Sequence, residues 1–201
     1  MSIYLGNARI SPIVQRDTME AYVKNGGRFG YSEITDLTLY VKPEWTSGRT
    51  NMESFFRACS QTSAFPAMDT SSATNIGWMY FSCALLTEVP MTDTSNVTNA
   101  QWAFSYDYQL VCIPALDFGK VTNLTSSFTS CVRLEEIHIK NIGVSFDISS
   151  STKFAREALV EIIGNLKTVT TNQTLTMGAT NLAKLTEADR AVATGKGWTL
   201  A

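Results

Sequence analysis

Charge is scarce in this chain of 201 residues: Asp, Glu, Lys and Arg together make up 17%, against roughly 25% in an average soluble domain. Sixteen Lys and Arg against eighteen Asp and Glu leave a net charge of -2. No basic run is present that would neutralise a phosphate backbone, so no nucleic acid partner is expected. Long apolar runs are missing too; no segment approaches the roughly eighteen residues of a membrane span, and membrane insertion is not expected. The start, MSIYLGNARISPIVQR, is interrupted by Gly6, Asn7, Arg9 and Pro12 and lacks the segments of a signal peptide, and GKGWTLA at the other end carries no prenylation box or membrane tail. With 44% hydrophobic residues the chain folds rather than staying disordered.

Catalytic vocabulary is equally thin. One histidine, His138, is present, and a triad would need partners brought to it. Cys59, Cys83, Cys112 and Cys131 match no zinc spacing. Phosphate-cradling glycine loops are absent, and Gly195-Lys196-Gly197 lacks the context of one. Glu135 with Glu136, and Glu157 with Glu161, read as solvated surface carboxylates. The expectation is therefore a protein that is not an enzyme, with no cofactor and no bound metal.

What the sequence does have is a repeat. Thr-Asn recurs at Thr50-Asn51, Thr74-Asn75, Thr98-Asn99 and Thr122-Asn123, always at the same interval. In that register Phe56, Tyr80, Phe104 and Phe128 form one column, Cys59, Cys83, Asp107 and Cys131 another, and Phe65, Val89, Ile113 and Ile137 a third. Apolar residues after each Asn, such as Met52, Phe55, Phe56 and Cys59, fall at i, i+3, i+4 and i+7, which predicts a helix-like arm with the Asn as its N-cap. Phe65 with Ala67, Val89 with Met91, Ile113 with Ala115 and Ile137 with Ile139 predict a short strand with one buried face. Asp69, Asp93 and Asp117 then turn the chain by accepting amides just ahead. A unit this short buries its apolar face only against neighbours. The fold expected is an α/β repeat, a solenoid with 24-residue units, a parallel strand ladder and thiols stacked inside it as small hydrophobes.

The units YFSCALLTEVPMTDTSNVTN (80–99) and FTSCVRLEEIHIKN (128–141) resemble the BspA-like leucine-rich repeats of bacterial surface and phage proteins, over about residues 45–147. The resemblance rests on the F-x-x-C step, the following leucine and strand, and the D-T-S-x-V-T-N turn. Unit 104–123 departs from it with Asp107 for Cys and Phe118-Gly119 for Thr-Ser.

Three segments are expected: an attachment and capping segment at 1–36, the leucine-rich-repeat-like solenoid at 37–147, with an incomplete first unit around Leu37 to Val41, and an α/β cap at 148–201. Residues 3–5 and 8–10 flank the turn signal Gly6-Asn7, predicting a hairpin. Asp17 or Thr18 is expected to cap a helix that stops at Gly26-Gly27. In the cap, Phe154, Leu159, Ile162, Ile163 and Leu166 predict a helix over the last unit. Gln173 to Met177 and Trp198 to Ala201 read as strands, and Thr186 with Asp189 as a capping pair.

The candidate partner-binding residues are Pro66, Met68, Pro90, Pro114, Leu116 and His138, read as an outward apolar strand face, and Trp78 and Trp102, which share a column off the inward side. The prolines conflict with a central strand, because each removes a ladder donor. Cys112 lies outside the thiol column and is expected nearer the surface. From the resemblance and the start at Met1 without a leader, the function expected is a bacteriophage virion component: a head or tail fibre or a capsid decoration protein. It would be located in the virion, homo-oligomeric, and bound to other virion proteins or to a host-surface protein or glycan. A bacterial cell-surface adhesin and a carbohydrate-binding module are the alternatives.

Overall fold

Four asparagines one unit apart stand side by side, joined by parallel bridges from Asn51 to Asn75, Asn75 to Asn99 and Asn99 to Asn123. Each side chain accepts the backbone N–H two residues ahead, at 2.9 Å from Glu53, 2.9 Å from Gly77, 3.3 Å from Gln101 and 3.0 Å from Thr125. Asn99 Nδ2 donates to Asn75 Oδ1 at 2.9 Å, so the corner is also linked along the stack. These contacts are seen in a computed structural model, which describes residues 3–5, 8–10, 16–91 and 93–201.

The arms after the asparagines are not helices. From Met52 to Cys59 the chain makes two successive four-residue turns, with Phe55 N–H on Met52 O at 3.2 Å and Cys59 N–H on Phe56 O at 3.1 Å. The third residue of each turn is left-handed: Ser54 and Ala58 here, Trp78 and Ser82, Trp102 and Tyr106, Ser126 and Ser130 in the units that follow, with φ between 55° and 63°. Two four-residue turns repeat the i, i+3, i+4, i+7 spacing of a helix, which is why the expectation of a helical arm, with Asn as a helix cap, is corrected to a double turn with Asn closing its first step. The amides that a helix would use internally point to the next unit. Ser54, Phe56 and Ala58 donate to Gly77, Met79 and Phe81, and Trp78, Tyr80 and Ser82 to Gln101, Ala103 and Ser105, all within 2.7–2.9 Å. A left-handed non-glycine residue costs about 1–3 kcal/mol and persists where its surroundings over-determine it. Here six of the eight donate their N–H to a carbonyl of the next unit, and Ser130 donates to Ser150 Oγ at 3.0 Å.

The strand segments are short for the reason the prolines suggest. Glu88 bridges Cys112, and only where His138 replaces proline does a second amide pair: His138 N–H donates to Ile113 O at 3.0 Å, giving β3 (Cys112–Ile113) parallel to β4 (Glu136–Ile137). Burial alternates as expected at Val89 and Met91 and at Ile137 and Ile139, but not in the other two units. Ala67 and Ala115 are exposed, while Met68 and Leu116 are fully buried. Met68 bridges Met91, and Asp117 bridges Lys140, in each case one residue short of a full unit. One residue is therefore looped out in each of these two units, and the following side chain turns into the core. At Leu116 the device is a three-residue turn, its N–H on Pro114 O at 2.8 Å. Asp69, Asp93 and Asp117 each accept the amide two residues on, at 3.0, 2.9 and 2.8 Å.

Down the centre runs an aromatic spine. Phe56, Tyr80, Phe104 and Phe128 stack with centroids 5.4, 6.4 and 5.8 Å apart, and Phe29 extends it at 6.3 Å from Phe56. Cys59, Cys83 and Cys131 are free, buried thiols whose Sγ donate to Phe29, Phe56 and Phe104 carbonyls at 2.9–3.1 Å.

At the start, β1 (Ile3–Leu5) pairs antiparallel with β2 (Ala8–Ile10), Leu5 opposite Ala8; the turn expected at Gly6-Asn7 lies outside the described residues. The first helix, α1 (Arg16–Lys24), begins before Asp17 and Thr18, so neither is its cap. It ends where Gly26 takes φ 91°, with Gly26 N–H on Val23 O and Gly27 N–H on Tyr22 O, a reversal that favours glycine. Leu37–Leu39 is a 3-10 turn rather than a strand, its N-terminal Asp36 bridging Ala64.

Beyond residue 145 the backbone becomes conventional. The strand β5 (Phe146–Asp147), helix α2 (Arg156–Gly164), strand β6 (Gln173–Thr176), helices α3 (Gly178–Leu182) and α4 (Glu187–Gly195) and strand β7 (Trp198–Leu200) follow, the three strands forming one parallel sheet in the order β5-β6-β7. Thr186 and Asp189 form a capping box on α4, and α3 has no counterpart in the sequence reading. One contiguous apolar core runs from Met19 to Trp198.

Candidate functional site

The eight candidate residues do not make one face. Met68 and Leu116 belong to the core and Pro66 is buried; Pro90, Pro114 and His138 are half-buried on the strand side, and Trp78 and Trp102 lie on the arm side. The expected outward strand stripe is thus corrected: the looped-out residues 67 and 115 turn its largest apolar members inward. Thr92, the strand position expected to face outward two residues after Pro90, lies outside the described residues.

What the arm side does carry is a ledge of rings. Trp78 and Trp102, each left-handed at the third position of a turn, stack with centroids 5.1 Å apart and planes 12° from parallel. Tyr106 continues the row at 6.5 Å and 2°, and Phe81 packs edge-on to Trp102 and Tyr106. At the other end the Arg57 guanidinium lies 4.7 Å from the Trp78 ring, 5.4 Å from Phe81 and 6.0 Å from Tyr31. Tyr31 is 66% exposed, and the rest of the row is half-buried. Arg57 Nε is buried with no hydrogen-bond partner among the described residues, and the guanidinium is placed for cation–π contact with these rings. Beside it, Tyr22, Arg28, Tyr31, Ser54 and Arg57 line a cleft of about 400 Å³. Sequence reasoning picked out the two tryptophans but not Arg57, Phe81, Tyr31 or Tyr106. The signal was available for one pair, since Arg57 and Phe81 share a column one unit apart.

The ledge presents stacked rings with few free faces. Every interior ring face is already covered, Trp78 by Arg57 and Trp102, Trp102 by Trp78 and Tyr106. A sugar stacking on tryptophan needs a free face, whereas a protein surface meets ring edges and the Arg57 side chain.

The strand side holds a second polar group. His138 Nδ1 lies 2.7 Å from Glu161 Oε1 on α2 and Nε2 lies 3.3 Å from Glu136 Oε2. Glu161 above all, and Glu136 after it, raise the imidazole pKa above its ordinary value, against a partial opposing effect of burial. Cys112 is half-buried beside it, its thiol pushed up by burial and by Glu136 and Glu88. Deeper in, Asp107 takes the place of a cysteine in the thiol column. Its Oδ1 accepts the Cys83 N–H at 2.7 Å, its Oδ2 is buried without a partner among the described residues, and burial raises its pKa well above the carboxylate range. It is walled off from solvent.

No family model, curated protein or solved structure matches this chain.

Proposed function

We propose that the protein is a non-enzymatic binding and structural module, a leucine-rich-repeat-like solenoid of the BspA-like kind serving as a bacteriophage virion component: a head or tail fibre or a capsid decoration protein. The observation that carries the binding part is the continuous ledge from Tyr31 through Arg57, Trp78 and Trp102 to Tyr106. Tryptophan, tyrosine and arginine are the residue types that dominate protein interfaces. Here they are held rigid by stacking on a bonded backbone, so little ordering entropy remains to oppose docking. The partner that fits is a protein surface, on another virion protein, a second copy or a host receptor. The repeat units at 80–99 and 128–141 support the virion assignment through their resemblance to phage and surface repeats, and the leading hairpin and α1 are the proposed attachment end.

Mass spectrometry of density-purified particles, beside membrane and supernatant fractions of the producing cells, tests the assignment. Stoichiometric peptides spanning Trp78 and Trp102 in the particles are expected. Absence from particles with enrichment at the cell surface would replace it with the adhesin. Titration with oligosaccharides addresses the ledge: unchanged tryptophan fluorescence is expected, and saturable quenching lost in Trp78→Ala with Trp102→Ala would make the module carbohydrate-binding.

A further inference from the structure

Cys112 and Glu136 are register partners on the adjacent parallel strands β3 and β4, and His138, two residues past Glu136, projects from the same face. One thiol sulfur, one carboxylate oxygen and one imidazole nitrogen from these three residues lie within 4.8 Å of one another. A fourth group completes the arrangement from a different element: Glu161 on α2 sits 2.7 Å from His138 Nδ1. With the Nδ1 proton donated to that carboxylate, Nε2 keeps its lone pair and faces Glu136 at 3.3 Å. This is the arrangement by which a carboxylate fixes the tautomer and raises the basicity of a metal-ligating histidine.

We propose that Cys112, Glu136 and His138 bind one divalent transition-metal ion, Zn²⁺ by donor type, with Glu161 as the partner that orients the imidazole. A thiolate, an imidazole and a carboxylate together favour a borderline-soft ion over Ca²⁺ or Mg²⁺, which take oxygen sets. In tetrahedral zinc the ligand atoms stand roughly 3.3–3.8 Å apart, given bonds of about 2.0–2.3 Å. Closing the triangle from 4.8 Å to that spacing needs a movement of about 1 Å in side chains that are partly exposed, and the His138–Glu136 edge already has it. The surroundings favour a cation. Glu88 flanks Cys112 on the other side of the ladder, and Glu135 and Glu157 line the same hollow, where Lys153 supplies the one ammonium group among the described residues. Three protein ligands leave one position for water or for a donor from a bound partner. Binding displaces the Cys112 proton, so affinity falls as pH falls. The ion would tie β3 and β4 to each other and, through His138 and Glu161, to α2.

Cobalt supplies the test, because Co²⁺ occupies zinc sites and reports on its ligands. Titrating the full, metal-free chain with Co²⁺ is expected to give a near-ultraviolet thiolate-to-cobalt band and tetrahedral visible bands. Both should saturate at one equivalent and be abolished by Zn²⁺. Cys112→Ser should remove the near-ultraviolet band, and His138→Gln should weaken both, with far-ultraviolet circular dichroism unchanged in each. Glu161→Gln should lower affinity by about 10–100-fold, while Glu157→Gln, in the same hollow, should not. No near-ultraviolet band in the unaltered protein, or a band that survives Cys112→Ser, would overturn the proposal.

Discussion

The arm of residues 52–59 and the helix α2 bury side chains at the same spacing: Met52, Phe55, Phe56 and Cys59 in the first, Leu159, Ile162, Ile163 and Leu166 in and just after the second. Their backbones have nothing else in common. In α2 the amides are satisfied within the segment, as Leu159 N–H on Ala155 O shows. In the arm they leave it, alternate residues donating to carbonyls of the next unit. Apolar spacing reports which side chains go inward and is silent on where the backbone bonds go. A helix is self-sufficient, whereas the arms at 52–59, 76–83 and 100–107 send alternate amides to a neighbour, and those bonds help hold left-handed serine, tyrosine and tryptophan where glycine would be expected.

Four experiments bear on this contrast. The largest effect should come from Phe104→Ala, which empties the middle of the spine and should cost about 3–5 kcal/mol in chemical denaturation. If arm and helix regions share one core, a single transition shifts; a second transition left in place would show that the C-terminal part folds on its own. Next is Asp107→Cys, which restores the thiol column. Cys83 N–H keeps its bond to Tyr80 O at 3.0 Å, and no buried acceptor is left bare. The folded-state pKa of Asp107 is raised by burial. Its contribution is therefore fully present below the unfolded value of about 4 and is lost as pH rises toward the folded one. The variant should thus gain about 1–3 kcal/mol at neutral pH and show a flatter stability profile between pH 4 and 7, roughly.

A matched glycine pair sharpens the comparison most directly. Ser82→Gly, at φ 61°, should raise stability by a few tenths to about 1 kcal/mol, whereas Ala158→Gly, inside α2, should lower it by about 0.5–1 kcal/mol. Equal signs in thermal melts would refute the assignment of the arms as strained turns. The smallest effect is expected at His138 in metal-free buffer. Its raised pKa means that the Glu161 and Glu136 contacts stabilise most below the ordinary imidazole value, and that this is lost as pH rises through the folded one. The melting temperature should drift down over that window, and His138→Gln should remove the drift.

Much of the local chemistry was legible from columns. The Asn corners, the Asp turns, the aromatic spine and the capping pair at Thr186 and Asp189 rest on side chains whose bonds run two or three residues ahead or one unit across. The arm backbone was not, because two four-residue turns imitate a helix. The burial of Met68 and Leu116 was not either, because a looped-out alanine leaves no mark in composition. The ledge was half legible: the tryptophan column is visible, but its capping by Arg57 depends on left-handed geometry. The cluster at His138 leaves no local ligand spacing in the sequence. Cys112 and Glu136 are one unit apart and His138 is two residues beyond, so counting by whole units brings them together.

The inter-unit hydrogen bonds have a further consequence for how such a chain changes in length. Corner amides such as Thr98 and Thr122 reach back one full unit, to Thr74 and Thr98, and arm amides reach forward by one residue less than a unit. A stretch inserted between arms keeps donors facing acceptors when it is one whole unit or when its extra residues loop out, as they do before the 52–59 arm, where Phe29 and Tyr31 still donate to Phe55 and Arg57. A duplication of a whole unit adds a ring to the spine and a step to the ledge, and extra residues are taken up between arms rather than inside one.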